Sequence, residues 1–124
     1  MRRKLVISLI ALPLFGCVKP EPQNLTDWTQ LALVGKTLTL IDPDLQQIFS
    51  FDKDAIVRAT FGRKGGPVSG PILYWRITDN MLVISIFPDS NVVDTFSHPV
   101  IQGANIIATR QSGAKAVFIL ANSP

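Results

Sequence analysis

The chain has 124 residues, enough for one compact domain with its own core and too few for several. Its formal charge of +3 sits at the N-terminus: Arg2, Arg3 and Lys4 are three of the 12 basic residues, and the nine others match nine acidic ones. That balance excludes a nucleic-acid partner argued from net charge, and a single Cys with a single His excludes a disulfide framework, a zinc cluster and a Cys–His nucleophile pair.

Arg2-Arg3-Lys4 is followed by Leu5 to Phe15, apolar except for Ser8, and then by the small residue Gly16. A basic head, an apolar run of about a dozen residues and a small residue make a secretory signal peptide. A membrane-spanning helix needs about 20 apolar residues; this run is about half that and contains Pro13. The closing Leu14-Phe15-Gly16-Cys17 resembles the lipobox of bacterial lipoproteins. The resemblance implies that residues 1–16 are a cleaved signal and that Cys17 becomes the first residue, carrying its diacyl (palmitate-type) lipid. A membrane is then the first partner. By the same resemblance, Val18 rather than Asp after the cysteine implies a Gram-negative outer membrane, with the domain facing the periplasm. The lipidated thiol leaves 108 mature residues with no free cysteine, so packing alone holds the domain together.

Residues 17–25 read as the lipidated Cys and a tether, because Pro20 and Pro22 favour an extended path and forbid a helix. Thr26 is placed to cap a short helix over Asp27–Val34, with Trp28, Leu31 and Ala32 on one face and Gly35 as its stop. From Lys36 the apolar period becomes two, which sets Phe49 and Phe51 on one face, points Leu73, Trp75 and Ile77 one way, and turns Leu82, Ile84 and Ile86 inward. Strands are expected at Thr37–Leu40, Ile48–Phe51, Ala55–Phe61, Ile72–Ile77, Leu82–Phe87, Val92–Ser97, Asn105–Arg110 and Lys115–Ala121. Asp42-Pro43-Asp44, Asp52-Lys53-Asp54 and Thr78-Asp79-Asn80 supply turns between them. Gly62 to Pro71, rich in Gly and Pro, reads as a ten-residue loop, and His98 to Gly103 as loop or bulge. The weak alternation of Val92–Ser97 suggests an edge or an irregular pairing, and the apolar run Val117–Leu120 suggests a strand covered on both faces.

About eight short strands with almost no helix predict an all-β domain over residues 26–124, a small antiparallel meander or barrel, with a two-sheet β-sandwich as the alternative. The short helix, the Gly35-Lys36-Thr37 start and Trp75 in the middle hairpin resemble lipocalin architecture, without the Trp of the lipocalin Gly-x-Trp signature.

No residue set predicts catalysis. Asp42, Asp44, Asp52 and Asp54 lack the glycine and distal glutamate of a calcium loop and read as turn formers. His98 adjoins Ser97, but neighbours on a strand face opposite sides. The chain is therefore read as no enzyme, with no catalytic residue, metal or cofactor. Two surfaces are candidates for partner binding. One is the doubly charged Arg63-Lys64 between Gly62 and Gly65-Gly66, whose backbone N–H groups suit an anion. The other is the outward face of the middle hairpin, where Tyr74, Met81 and Phe87 stand with Ile72 and Val83. Ser69-Gly70 with Tyr74 also resembles the Ser-Gly-x-x-Tyr loop of lipoprotein lysozyme inhibitors, one residue longer. The expected function is a membrane-tethered envelope lipoprotein that binds or inhibits an envelope protein or polymer; the alternatives are an accessory subunit of an envelope assembly and a carrier of a small apolar ligand.

Overall fold

The computed structural model describes residues 24–124. The expected signal peptide, the lipobox with Cys17 and the tether as far as Gln23 lie outside the described residues. The last two tether positions form a short strand instead, β1 (Asn24–Leu25). Then come a single 3₁₀ turn (Trp28–Leu31), β2 (Lys36–Leu40), β3 (Leu45–Phe51), β4 (Ile56–Arg63), β5 (Val68–Ser69) and β6 (Ile72–Thr78). β7 (Met81–Phe87), β8 (Ser90–Gln102), β9 (Asn105–Arg110) and β10 (Lys115–Asn122) complete the chain.

Period-two patterning buries one face of each strand, and eight curled strands bury that face most completely by closing on themselves. The antiparallel order β2-β3-β4-β6-β7-β8-β9-β10 returns to β2 through the Phe118–Leu40 to Asn122–Lys36 register. Outside this ring, β1 pairs with the end of β8 and β5 with the end of β4. The chain is thus an eight-stranded barrel, and the sandwich alternative falls away.

Its interior is solid. Phe49, Phe51, Phe96, Phe118, Leu38, Leu82, Ile84 and Val57 are wholly buried. The Phe49 ring lies 5.8–6.3 Å from those of Phe51, Phe61, Phe96 and Phe118. Such pairs add about 0.5–1.5 kcal/mol each beyond the area they bury.

One end of the barrel is plugged. Trp28 is fully buried and its Nε1 donates to the Phe96 carbonyl at 2.9 Å. Asn80, left-handed at φ 55° in the β6–β7 turn, accepts from Trp28 N–H at 2.9 Å and donates to the Thr26 carbonyl at 3.1 Å. The short helix expected over Asp27–Val34 is replaced by this one turn. Trp28 and Leu33 both enter the core. Five residues apart on an α-helix, they would point about 140° away from each other. Ala32, left-handed at φ 50°, turns the chain so that both reach inward, and Ala32 itself is exposed.

Three other expectations change and one is decided. Gly62–Pro71 is a hairpin rather than a loop: β4 runs on to Arg63, and β5 folds back with Phe61 opposite Ser69 and Gly62 opposite Val68. Of the two readings of Val92–Ser97 the irregular pairing holds: the segment is part of the 13-residue β8, which pairs with β7 across a register shift and with β9 from Phe96 onward. Bulges near Ser85 and between Ser97 and Val100 break its alternation, which is why it looks irregular as a sequence. Ile119 is 42 % exposed, so β10 is covered on its inner face only. Ile86, expected inward, is 48 % exposed, because it lies beyond the last residue of β7 that packs in the core.

Candidate functional site

The turns divide into two sets. Those after β3, β6 and β8 lie with Trp28 at the plugged end. Those after β2, β4, β7 and β9 lie at the opposite end, the mouth. Inward positions at the mouth carry polar residues, since the alternation that places Ile106 and Ala108 in the core places Arg110 in line with them. Arg110 Nη1 donates to Asp94 Oδ2 of β8 at 2.8 Å, and Nη2 donates to Gln47 Oε1 of β3 at 3.0 Å. The guanidinium lies over the Phe96 ring, 5.4 Å from its centroid. Asp94 Oδ1 accepts from the backbone N–H groups of Thr95 and Gln111. The two charged side chains are under one-fifth exposed, and each is paired and hydrogen-bonded, which such a position requires.

Beside this group opens a cleft of about 490 Å³. Leu40, Phe61 and Ala116 line it with Gln47 and Arg110, and Asp42 and Lys115 stand at its edge. Asp42 Oδ1 accepts from Leu45 and Asp44 N–H at 2.7 and 2.8 Å. Those two bonds hold its carboxyl below the usual aspartate range, with smaller help from the charges of Lys64 and Arg110. The stabilisation is present at neutral pH and is lost as pH falls through this lowered pKa.

Arg63, the last residue of β4, and Lys64, the first of the tight β4–β5 turn, are exposed at the mouth and make no ion pair among the described residues. Lys64 N–H donates to the Asp44 carbonyl at 2.9 Å, tying this turn to the β2–β3 turn. Tyr74 and Met81 are both half-buried on the outer wall and stand apart. Met81 lies at the plugged end near His98, Tyr74 higher on the wall, opposite Ser85. Val83 between them is 2 % exposed, so the outward face does not form one continuous apolar patch. Apolar exposure gathers instead around the β7–β8 tip, where Ile72, Phe87 and Val92 are 65, 52 and 43 % exposed. Ser69 of the Ser-Gly pair is exposed in β5.

The aspartate pairs part company: Asp42 and Asp44 are at the mouth, Asp52 and Asp54 at the plugged end. Among the described residues no three His, Cys, Asp or Glu side chains gather to hold a metal. The alternation argument for Ser97 and His98 fails at the bulge. His98 is left-handed at φ 52°, and its Nδ1 lies 3.2 Å from Ser97 Oγ. Among the described residues no carboxylate bonds the ring, so none of them supplies the third group that orients a catalytic histidine.

The Arg110–Asp94–Gln47 group is absent from the candidates named above. Its one sequence signal is the charged residue ending the alternating run Ile106, Ala108, Arg110. Its partners, 16 and 63 residues away, meet only through barrel closure. No protein-family model matches the chain, and searches of curated proteins and of solved structures return no match either.

Proposed function

We propose that this chain is a lipid-anchored envelope protein, tethered through Cys17, whose barrel is a binding or inhibitory module that meets its partner with the mouth. The observation that carries the reading is polarity. The described chain enters at Asn24, paired with Ile101 at the plugged end, while Arg63 and Lys64 project from the mouth. A tether on Cys17 therefore leaves the charged turn pointing away from the anchoring membrane. Function in β scaffolds concentrates on such turns, positioned by a rigid frame. With the mature charge balanced, recognition rests on local groups, and two exposed cations that make no ion pair among the described residues favour an acidic protein surface or anionic envelope polymer. Binding, not catalysis, is the role of this module, acting at the outer membrane and facing the periplasm.

Replacing Arg63 and Lys64 together by Ala tests this. The variant is expected to fold and to fractionate with membranes like the parent, because both side chains are exposed. Purified from its native envelope by an affinity tag, the parent chain carries its partner at low salt and loses it as salt rises, and the double variant carries little at any salt. Equal recovery by parent and variant across the salt series would remove the turn from the binding surface.

A second reading, an accessory subunit of an envelope assembly, is favoured by the exposed Ile72, Phe87 and Val92 at the β7–β8 tip. Under it, Phe87→Ser releases the assembly while Arg63 and Lys64 are dispensable.

A further inference from the structure

The mouth cleft has a chemical bias of its own. Its volume of about 490 Å³ falls within the range of small-molecule sites, roughly 300–1,000 Å³. Leu40, Phe61 and Ala116 offer an apolar surface, and the polar atoms beside them divide unevenly between acceptors and donors. At the rim Asp42 Oδ1 takes two backbone N–H groups while Oδ2 takes none among the described residues, but the inner acceptors are occupied: Asp94 is bonded through both oxygens and Gln47 Oε1 takes Arg110. The donors are not. Gln47 keeps its whole amide NH₂ group, and Arg110 has N–H groups beyond the two it spends on Asp94 and Gln47. Lys115 uses one proton on Thr109 Oγ1 at 2.9 Å and keeps two. Asp42 stands at the edge as a carboxylate, held charged chiefly by its two backbone hydrogen bonds, so the donors lie on the inner side of the cleft with Gln47 and Arg110. The barrel beneath is filled by Phe49, Phe96 and Phe118, which limits an occupant to the depth of the cleft.

The geometry points to this cleft as a binding site for a carboxylate carried on a compact apolar group, the acid on Gln47 and Arg110 and the apolar group on Leu40, Phe61 and Ala116. The chemistry is shared by a short branched free acid and by the C-terminal residue of a peptide chain. The site needs neither Arg63 nor Lys64, so it stands or falls apart from the charged-turn reading.

The test is a calorimetric titration of the full chain in phosphatidylcholine nanodiscs. The probes are 4-methylpentanoate and N-acetyl-leucine, each set against its own amide. At least one acid is expected to bind saturably, one per chain, and about tenfold or more tightly than its amide, since a charge-assisted hydrogen bond is lost with the charge. Preference for 4-methylpentanoate identifies a free acid, and preference for N-acetyl-leucine a chain terminus. Gln47→Glu places a carboxylate where the ligand's acid sits and is expected to weaken binding about tenfold or more. Leu45→Trp, at a 43 % exposed position lining the cleft, fills it without entering the core and has the same effect with thermal unfolding unchanged. Absence of saturable binding by both acids, amides that bind as well as the acids, or undiminished binding by folded Leu45→Trp would each overturn the site.

Discussion

At the scale of single residues, the mouth depends on a glycine chosen for lack of space. A Cβ on Gly62 would lie 2.5 Å from the Pro67 carbonyl oxygen and 2.7 Å from Val68 Cγ1. Both belong to the returning segment of the β4–β5 hairpin, and the first is backbone, which cannot swing aside. Gly62→Ala is therefore expected to cost about 1–3 kcal/mol, the usual range for overpacking, and to splay the turn that carries Arg63 and Lys64. Gly66→Ala is the control, because its nearest contacts are ordinary ones at 3.6 and 3.7 Å. Urea unfolding of the two variants should separate clearly; equal midpoints would mean that β5 does not lie over Gly62. The Gly-rich composition of this stretch reads as looseness in the sequence, yet Gly62 marks a close approach of two strands.

At the scale of elements, the 3₁₀ turn works as a plug and the β6–β7 turn as its catch. Trp28→Ala removes the largest wholly buried side chain and is expected to cost about 3–5 kcal/mol. Asn80→Gly keeps the left-handed backbone accessible while deleting the two hydrogen bonds to Thr26 and Trp28. It is expected to cost about 1–3 kcal/mol, from two bonds at roughly 0.5–1.5 kcal/mol each. Denaturant melts monitored by tryptophan fluorescence would check both. An Asn80→Gly midpoint equal to that of the parent would mean the plug is held by packing alone. β8 makes the complementary point. Its 13 residues serve three neighbours, β7, β9 and β1, and the two bulges re-aim the strand between them.

At the scale of the whole molecule, the barrel has two unlike ends. Seven-residue strands rising about 3.3 Å per residue and tilted near 40° set the mouth roughly 18 Å beyond the plug. From Cys17 to Asn24 the chain reaches at most about 25 Å, so a lipid on Cys17, as proposed, would keep the plugged end within that distance of the membrane. Cys17→Ser is expected to release the protein into the soluble envelope fraction, because each buried CH₂ contributes about 0.8 kcal/mol to membrane retention and Ser carries none. A Ser variant that still sediments with membranes would overturn the lipid anchor and the orientation that follows from it.

What the sequence determined by itself is local. Alternation of apolar and polar residues marked most of the barrel strands, and Asp and Asn tolerance of positive φ marked the Asp79-Asn80 turn, because both are decided within a few residues. The inward set Leu73, Trp75 and Ile77 was legible for the same reason, as were Phe49 and Phe51 on one face. The tertiary structure alone decided what depends on closure. Only a closed ring places Arg110, Asp94 and Gln47, from three different strands, within hydrogen-bond distance at one mouth. Only the plugged end requires Trp28 and Leu33 to enter one core, which an α-helix over Asp27–Val34 cannot do. Bulges hid β8 from a period-two reading, since each inserted residue inverts the faces that follow it. The strand pattern was thus written along the chain, while the candidate site arises from contacts between residues far apart in it, for which no local pattern exists.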